Sequence, residues 1–169
     1  MPIIFLIRFF SSSTDSRQVD VHRDRLELDI IDIAYKNDKP ILGICRGMQL
    51  MNTYFKGTLF GDIKEFYVEY PHINTLLPRK YINITSPSLL STIIKYDRYK
   101  VNSLHHQSID KLGESLKVSA REDNSVIQAI ERDDLRFFMG LQWHPEYLLQ
   151  LKPQRSIFKA LAKATKNQA

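Results

Sequence analysis

Cys45, the one cysteine of this 169-residue chain, stands in the run Gly43-Ile44-Cys45-Arg46-Gly47. When a glycine-flanked nucleophile follows a strand and opens a helix, it sits on a strained turn at the end of a sheet. Glycine suits both flanking places because a Cβ would collide where the strand and helix backbones nearly touch. The helix N-terminus offers exposed N–H groups and a partial positive field, which favour a thiolate and stabilise an oxyanion. The backbone N–H of Arg46 is then one oxyanion donor. A second run, Trp143-His144-Pro145-Glu146, supplies what a thiol needs, a base and a carboxylate to orient it. In extended chain, residues two apart share a face, so His144 and Glu146 are expected side by side, with Pro145 limiting the backbone between them. Cys45, His144 and Glu146 together read as a Cys-His-Glu triad. Taken singly, each has a plainer reading as a core cysteine or a strand-end histidine.

Several elements must position these groups. Residues 3–10 could form one strand, followed by a polar connection over 11–15. Val21, Leu28, Ile31 and Ala34, with Ile30 and Ile33 beside them, fall at helical spacing between Gln18 and Tyr35. The helix stops before Pro40. Ile41 to Ile44 reads as a buried strand leading into Cys45, and Met48 to Phe55 as a helix with Gly57 as its C-cap. Strands are expected over 81–85, 99–104, 116–120, 126–131 and 137–142, with a small helix near 89–94 and a last amphipathic helix from about Pro153. The alternation predicts an α/β fold with a mixed sheet.

Composition narrows the rest. The chain carries 24 Lys and Arg against 19 Asp and Glu, a formal charge of +5, yet the cations are scattered and form no nucleic-acid stripe. The apolar opening is short and broken by Arg8, so neither a membrane span nor a signal peptide is expected, and the cytoplasm is. A single cysteine makes no internal disulfide. His105 and His106, with His22 and His72 elsewhere, could suggest metal, but neighbouring strand residues point to opposite faces. No metal and no cofactor are expected.

Gly-Ile-Cys-Arg-Gly-Met-Gln at 43–49, Val-Asn-Ser-Leu-His-His-Gln at 101–107 and Gln-Trp-His-Pro-Glu at 142–146 together resemble class I glutamine amidotransferase domains. The nearest resemblance is to the γ-glutamyl-γ-aminobutyrate hydrolase branch. It implies a flavodoxin-like mixed sheet flanked by helices. It also implies attack on a γ-carboxamide of glutamine or another γ-glutamyl amide, and a γ-glutamyl thioester on Cys45. Around the substrate it implies Arg46, Gln49 for the glutamyl end, and the backbone of Ser103, Leu104 and His105. Gln49 reads equally well as a solvated residue of the first helical turn.

The chain also departs from that family. No glycine precedes Gly43, so the glycine-rich loop that would give a second oxyanion donor is missing, and Lys56-Gly57 replaces a pair of glycines. Residues 1–16 are expected to be a divergent remnant, and 17–169 a partial domain lacking N-terminal strands. The loss would leave an apolar sheet edge for a second copy or a partner chain. Three outcomes fit: a γ-glutamyl hydrolase, a glutaminase subunit feeding ammonia to a synthetase, or an inactive remnant.

Overall fold

The computed structural model describes residues 5–7, 17–63, 67 and 74–166, excluding the side chains of 5–7 and 17–23. The expected connection over 11–15, His72 and the His22 side chain lie outside the described residues. The elements are β1 (Phe5–Ile7), α1 (Arg17–Lys36), β2 (Ile41–Ile44), α2 (Arg46–Tyr54), β3 (Leu59–Phe60), β4 (Thr75–Ile84) and α3 (Leu89–Ile93). They continue with β5 (Arg98–Ser103), β6 (Ser108–Ile109), β7 (Lys117–Arg121), β8 (Ile127–Glu131), β9 (Phe138–Leu141) and α4 (Lys152–Lys166). No helix among the described residues is long and apolar enough to cross a membrane.

Seven strands form one mixed sheet in the order β1-β2-β9-β8-β7-β4-β5, and β3 pairs with β6 in a small ribbon. β1, β2 and β9 run parallel, whereas β9-β8, β8-β7, β7-β4 and β4-β5 are antiparallel. Strand alternation sends side chains to two layers. On one face Ile41 and Phe138 pack with Ile31 and Ala34 of α1 and Met48 and Met51 of α2. On the other, Leu42, Ile44, Met139 and Leu141 pack with Leu90 of α3 and Ile157 and Leu161 of α4.

The strand expected within residues 3–10 is found over Phe5–Ile7, and it fills a place beside the elbow strand. β2 has a parallel neighbour on each side, Phe5–Ile7 of β1 and Phe138–Leu141 of β9. β1 and β5 are the two edge strands of the sheet. β4 begins at Thr75, well before the expected Tyr81, and its register with β5 shifts between Thr75 and Lys80. Pro78 within that stretch hid it, because proline within a strand is confined to edges and irregular pairings.

The C-cap of α2 also differs. Phe55 is the cap residue, Lys56 takes the left-handed conformation at φ 66°, and no described glycine has positive φ. Gly57 is needed for space: a Cβ there would lie 2.2 Å from the side-chain nitrogen of Asn52. That buried amide donates to the carbonyls of Thr58 and Lys111 and accepts from the N–H of Gly113 at 2.8 Å.

A glycine pair decides how closely α2 lies on the sheet. Gly43 of β2 and Gly140 of β9 are register partners. A Cβ on Gly43 would meet Met51 Sδ at 2.4 Å and the Gly47 carbonyl carbon at 2.7 Å, and one on Gly140 would meet Met48 Cγ at 2.7 Å. Gly43→Ala is therefore expected to lower unfolding free energy by about 1–3 kcal/mol, the usual cost of overpacking a filled interior. Gly61→Ala, where a Cβ meets nothing within 4 Å, is the control and should stay within about 0.5 kcal/mol. Equal denaturation midpoints for the two variants would contradict this account of the packing.

Candidate active site

β2 hands the chain to α2 through one residue. Cys45 is the N-cap of α2, at φ 52° and ψ −102°, a region that non-glycine residues occupy only when their surroundings hold them there. Its N–H donates to the Leu141 carbonyl of β9 at 2.7 Å, and its carbonyl accepts from the Gln49 N–H at 3.2 Å. The Cys45 backbone is therefore anchored on both sides, by the sheet and by the first helical turn. Arg46 opens α2, where the first N–H groups of a helix find no acceptor within it. The Arg46 guanidinium pairs with Asp24 of α1.

His144 follows β9 and caps a single 3-10 turn, Pro145–Tyr147. The stretch is not extended, as the sequence suggested. Proline suits the first position of a helical turn, and the turn itself brings Glu146 back to the ring. His144 Nδ1 lies 2.8 Å from Glu146 Oε1, both side chains being buried. The outer face of the ring stacks on Tyr147, with centroids 5.4 Å apart. Two further anchors hold this corner. Asn102 at the end of β5 accepts from the His144 N–H at 2.8 Å and donates to its carbonyl at 2.9 Å. Trp143, fully buried, donates from Nε1 to Gln154 of α4 at 3.0 Å.

The electrostatics tie this corner to the elbow. Burial, the largest single influence, would lower the pKa of His144. Hydrogen bonds to Cys45 and Glu146, and their charges, outweigh it and raise the ring from 6.5 to about 9. Because Nδ1 faces Glu146, Nε2 is the nitrogen left for the sulfur. Cys45, His144 and Glu146 thus come together from two segments almost a hundred residues apart in the chain.

The other expected site residues divide. Cys45, Arg46, Gln49, Leu104, His105, His106 and Gln107 line one pocket. Gln49 is not the solvated residue of the alternative reading: it is 6% exposed and donates to the Gln107 carbonyl and to Gln142 Oε1, at 3.1 and 3.2 Å. Ser103 is not among the pocket residues; it is buried, and its hydroxyl has no hydrogen-bond partner among the described residues. The chain leaves the strand at Ser103, so Leu104 and His105 belong to a loop. His105 is buried and His106 exposed, so the two rings diverge as expected, though no strand separates them.

Two residues lie within the motifs, but nothing in their sequence assigned them a role of their own. Gln142 donates from Nε2 to Cys45 Sγ at 3.5 Å, and Asn102 clamps the backbone of His144. Asn102→Ala removes both bonds to that buried backbone and is expected to cost about 2–4 kcal/mol of stability. Urea denaturation measures it, and a loss below about 0.5 kcal/mol would show that the clamp carries no weight.

Known proteins resemble this chain in sequence and in fold. A family model described as peptidase C26 matches residues 8–146. A glutamine amidotransferase-like protein of Rickettsia prowazekii is 34% identical, over 85% of this chain and 66% of that protein. The gamma-glutamyl-gamma-aminobutyrate hydrolase PuuD of Escherichia coli is 29% identical, over 82% of this chain and 58% of that protein. The chain therefore spans two thirds or less of the length of these curated relatives. The structure of a GMP synthase subunit from Thermoplasma acidophilum shares the fold, with a TM-score of 0.66 at 17% identity over 88% of this chain and 67% of that one. With a glycine-flanked cysteine elbow on a mixed sheet and a family match over most of its length, this chain belongs to the peptidase C26 family of glutamine amidotransferase-like proteins.

Proposed function

We propose that the chain is a cysteine hydrolase of γ-glutamyl amides that works through a thioester on Cys45. The observation that carries this reading is the buried His144, linked to Glu146 at 2.8 Å and raised to about 9 by that carboxylate and by Cys45 despite its burial. A ring so placed holds its proton at neutral pH and favours a thiolate beside it. The thiolate attacks the γ-carbonyl carbon, and the Arg46 N–H at the start of α2 faces the developing oxyanion. As the C–N bond breaks, His144 gives its proton to the departing amine or ammonia. Water then attacks the thioester, His144 takes its proton, and the sulfur leaves as thiolate. Glutamate is released, and the ring is charged again.

The fold shared with a GMP synthase subunit favours a second reading, a glutaminase subunit that needs a synthetase partner. Ammonia released from glutamine only after such a partner is added would select it over the free-standing hydrolase.

A glutamine-like diazo ketone should alkylate Cys45, and Cys45→Ala should lose both labelling and at least about a thousandfold in turnover. Soluble, folded protein that turns over neither glutamine nor a γ-glutamyl amine would reject the hydrolase. The pH dependence has a definite sign. The charged ring is the proton donor to the leaving amine, so amide hydrolysis should fall as pH rises through about 9. Glu146→Gln removes influences that raise the ring, so the same decline should move to lower pH. A high-pH limb that stays fixed in that variant would assign the limb to another group.

A further inference from the structure

Behind the pocket lies a buried polar chain that the proposed chemistry does not use. Lys80 and Glu122 form an ion pair 3.1 Å long, 4% and 7% exposed, and Tyr67 donates to the same carboxylate at 3.1 Å. Gln128, fully buried, donates to Glu122 from Nε2, and that nitrogen also lies 3.2 Å from His105 Nε2. His105 Nδ1 in turn lies 2.9 Å from the Gln107 carbonyl, the acceptor that also holds Gln49.

With Glu122 ionised against Lys80, donor and acceptor rules leave one consistent assignment among the described residues. A carbonyl only accepts, so His105 Nδ1 carries a proton. A carboxylate also only accepts, so Gln128 must turn its NH2 toward Glu122 and its carbonyl oxygen away; that oxygen has no hydrogen-bond partner among the described residues. The second amide hydrogen of Gln128 then points at His105 Nε2, which must be an unprotonated acceptor. Were the amide reversed, its oxygen would face the carboxylate. At the far end, both hydrogens of Gln49 Nε2 are committed, one to Gln107 and one to Gln142. Its carbonyl oxygen is left to accept from a donor on whatever occupies the pocket that Gln49 lines.

We infer that Glu122, acting through Gln128, fixes His105 as the neutral Nδ1–H tautomer, and that His105 is a positioning residue holding the Gln107 carbonyl and so the orientation of Gln49. The ring does no proton transfer. It sets how a substrate's ammonium end is received, and this role rests on the γ-glutamyl hydrolase reading above.

The test uses the full chain with 15N-labelled histidine and L-γ-glutamyl-p-nitroanilide as substrate. At neutral pH the His105 signals, assigned by their loss in His105→Asn, should show a protonated Nδ1 and a bare Nε2. Gln128→Leu should let the two tautomers mix. His105→Leu and Gln128→Leu should each raise KM about tenfold while kcat moves less than about threefold. His105→Asn, whose Nδ2 falls where Nδ1 stood, should bring KM back toward the wild-type value. A charged ring or an Nε2–H tautomer in the wild-type protein overturns the proposal, and so does an unchanged KM in Gln128→Leu. The wild-type spectrum requires no variant to fold. A wild-type protein without turnover would sink the hydrolase reading, while the ring spectrum would still decide the tautomer.

Discussion

The site depends on how closely α2 can approach the sheet. The chain passes from strand to helix within one residue, and it can do so because Gly43 and Gly140 face each other in register beneath the helix. Without side chains there, Met48 and Met51 settle onto backbone, and the first turn of α2 lies close against the end of β2. Cys45 takes the conformational cost of that junction, a left-handed φ in a residue with a Cβ. The anchoring bonds to Leu141 and Gln49 hold it there. A strained residue persists where its neighbours over-determine it, and here they also aim the sulfur out of the sheet.

The opposite half of the site is held by polar groups inside the core. Asn102, Gln128, Gln142 and Gln154 are each fully buried. Burying amides is costly unless they are bonded, and most of these bonds go to groups at the site or to backbone beside it. Asn102 fixes the backbone of His144, Gln154 holds Trp143 from the α4 layer, and Gln142 joins Gln49 to the sulfur. An apolar core of the same shape could pack as well, but it would not fix where one ring or one amide points. Directionality is what hydrogen bonds add to packing.

The difference between what the sequence revealed and what it concealed follows the same division. The strand into Cys45, the helix after it and the His144–Glu146 pair are local, and their spacing made them legible. Where the sequence misled, the reason was also local: His144 to Glu146 is a turn and not a strand, and Lys56, not Gly57, takes the left-handed position. The residues whose roles stayed hidden act at long range. Asn102 reaches a partner 42 residues away, and Gln142 reaches Cys45 across 97. A lone asparagine or glutamine has no periodicity to betray it, and Gly140 reads as an ordinary strand glycine until Gly43 is seen beside it.

The charge balance at His144 shows why these long-range contacts matter. Burial opposes the imidazolium, and the ring is raised only because a sulfur and a carboxylate both lie against it. Neither segment achieves this alone. The 144–146 turn supplies the carboxylate but no sulfur, and the elbow supplies a sulfur but no base. Their mutual stabilisation exists only when β2 and β9 are hydrogen-bonded in their native register, Ile41 beside Phe138 through Ile44 beside Leu141. A slip of one residue would turn every side chain of β9 to the other layer, removing Gly140 from beneath α2 and shifting the chain toward His144 out of place. The same pairing thus fixes the core packing and the electrostatics of the site, so the upward shift of the ring belongs to the correctly folded sheet.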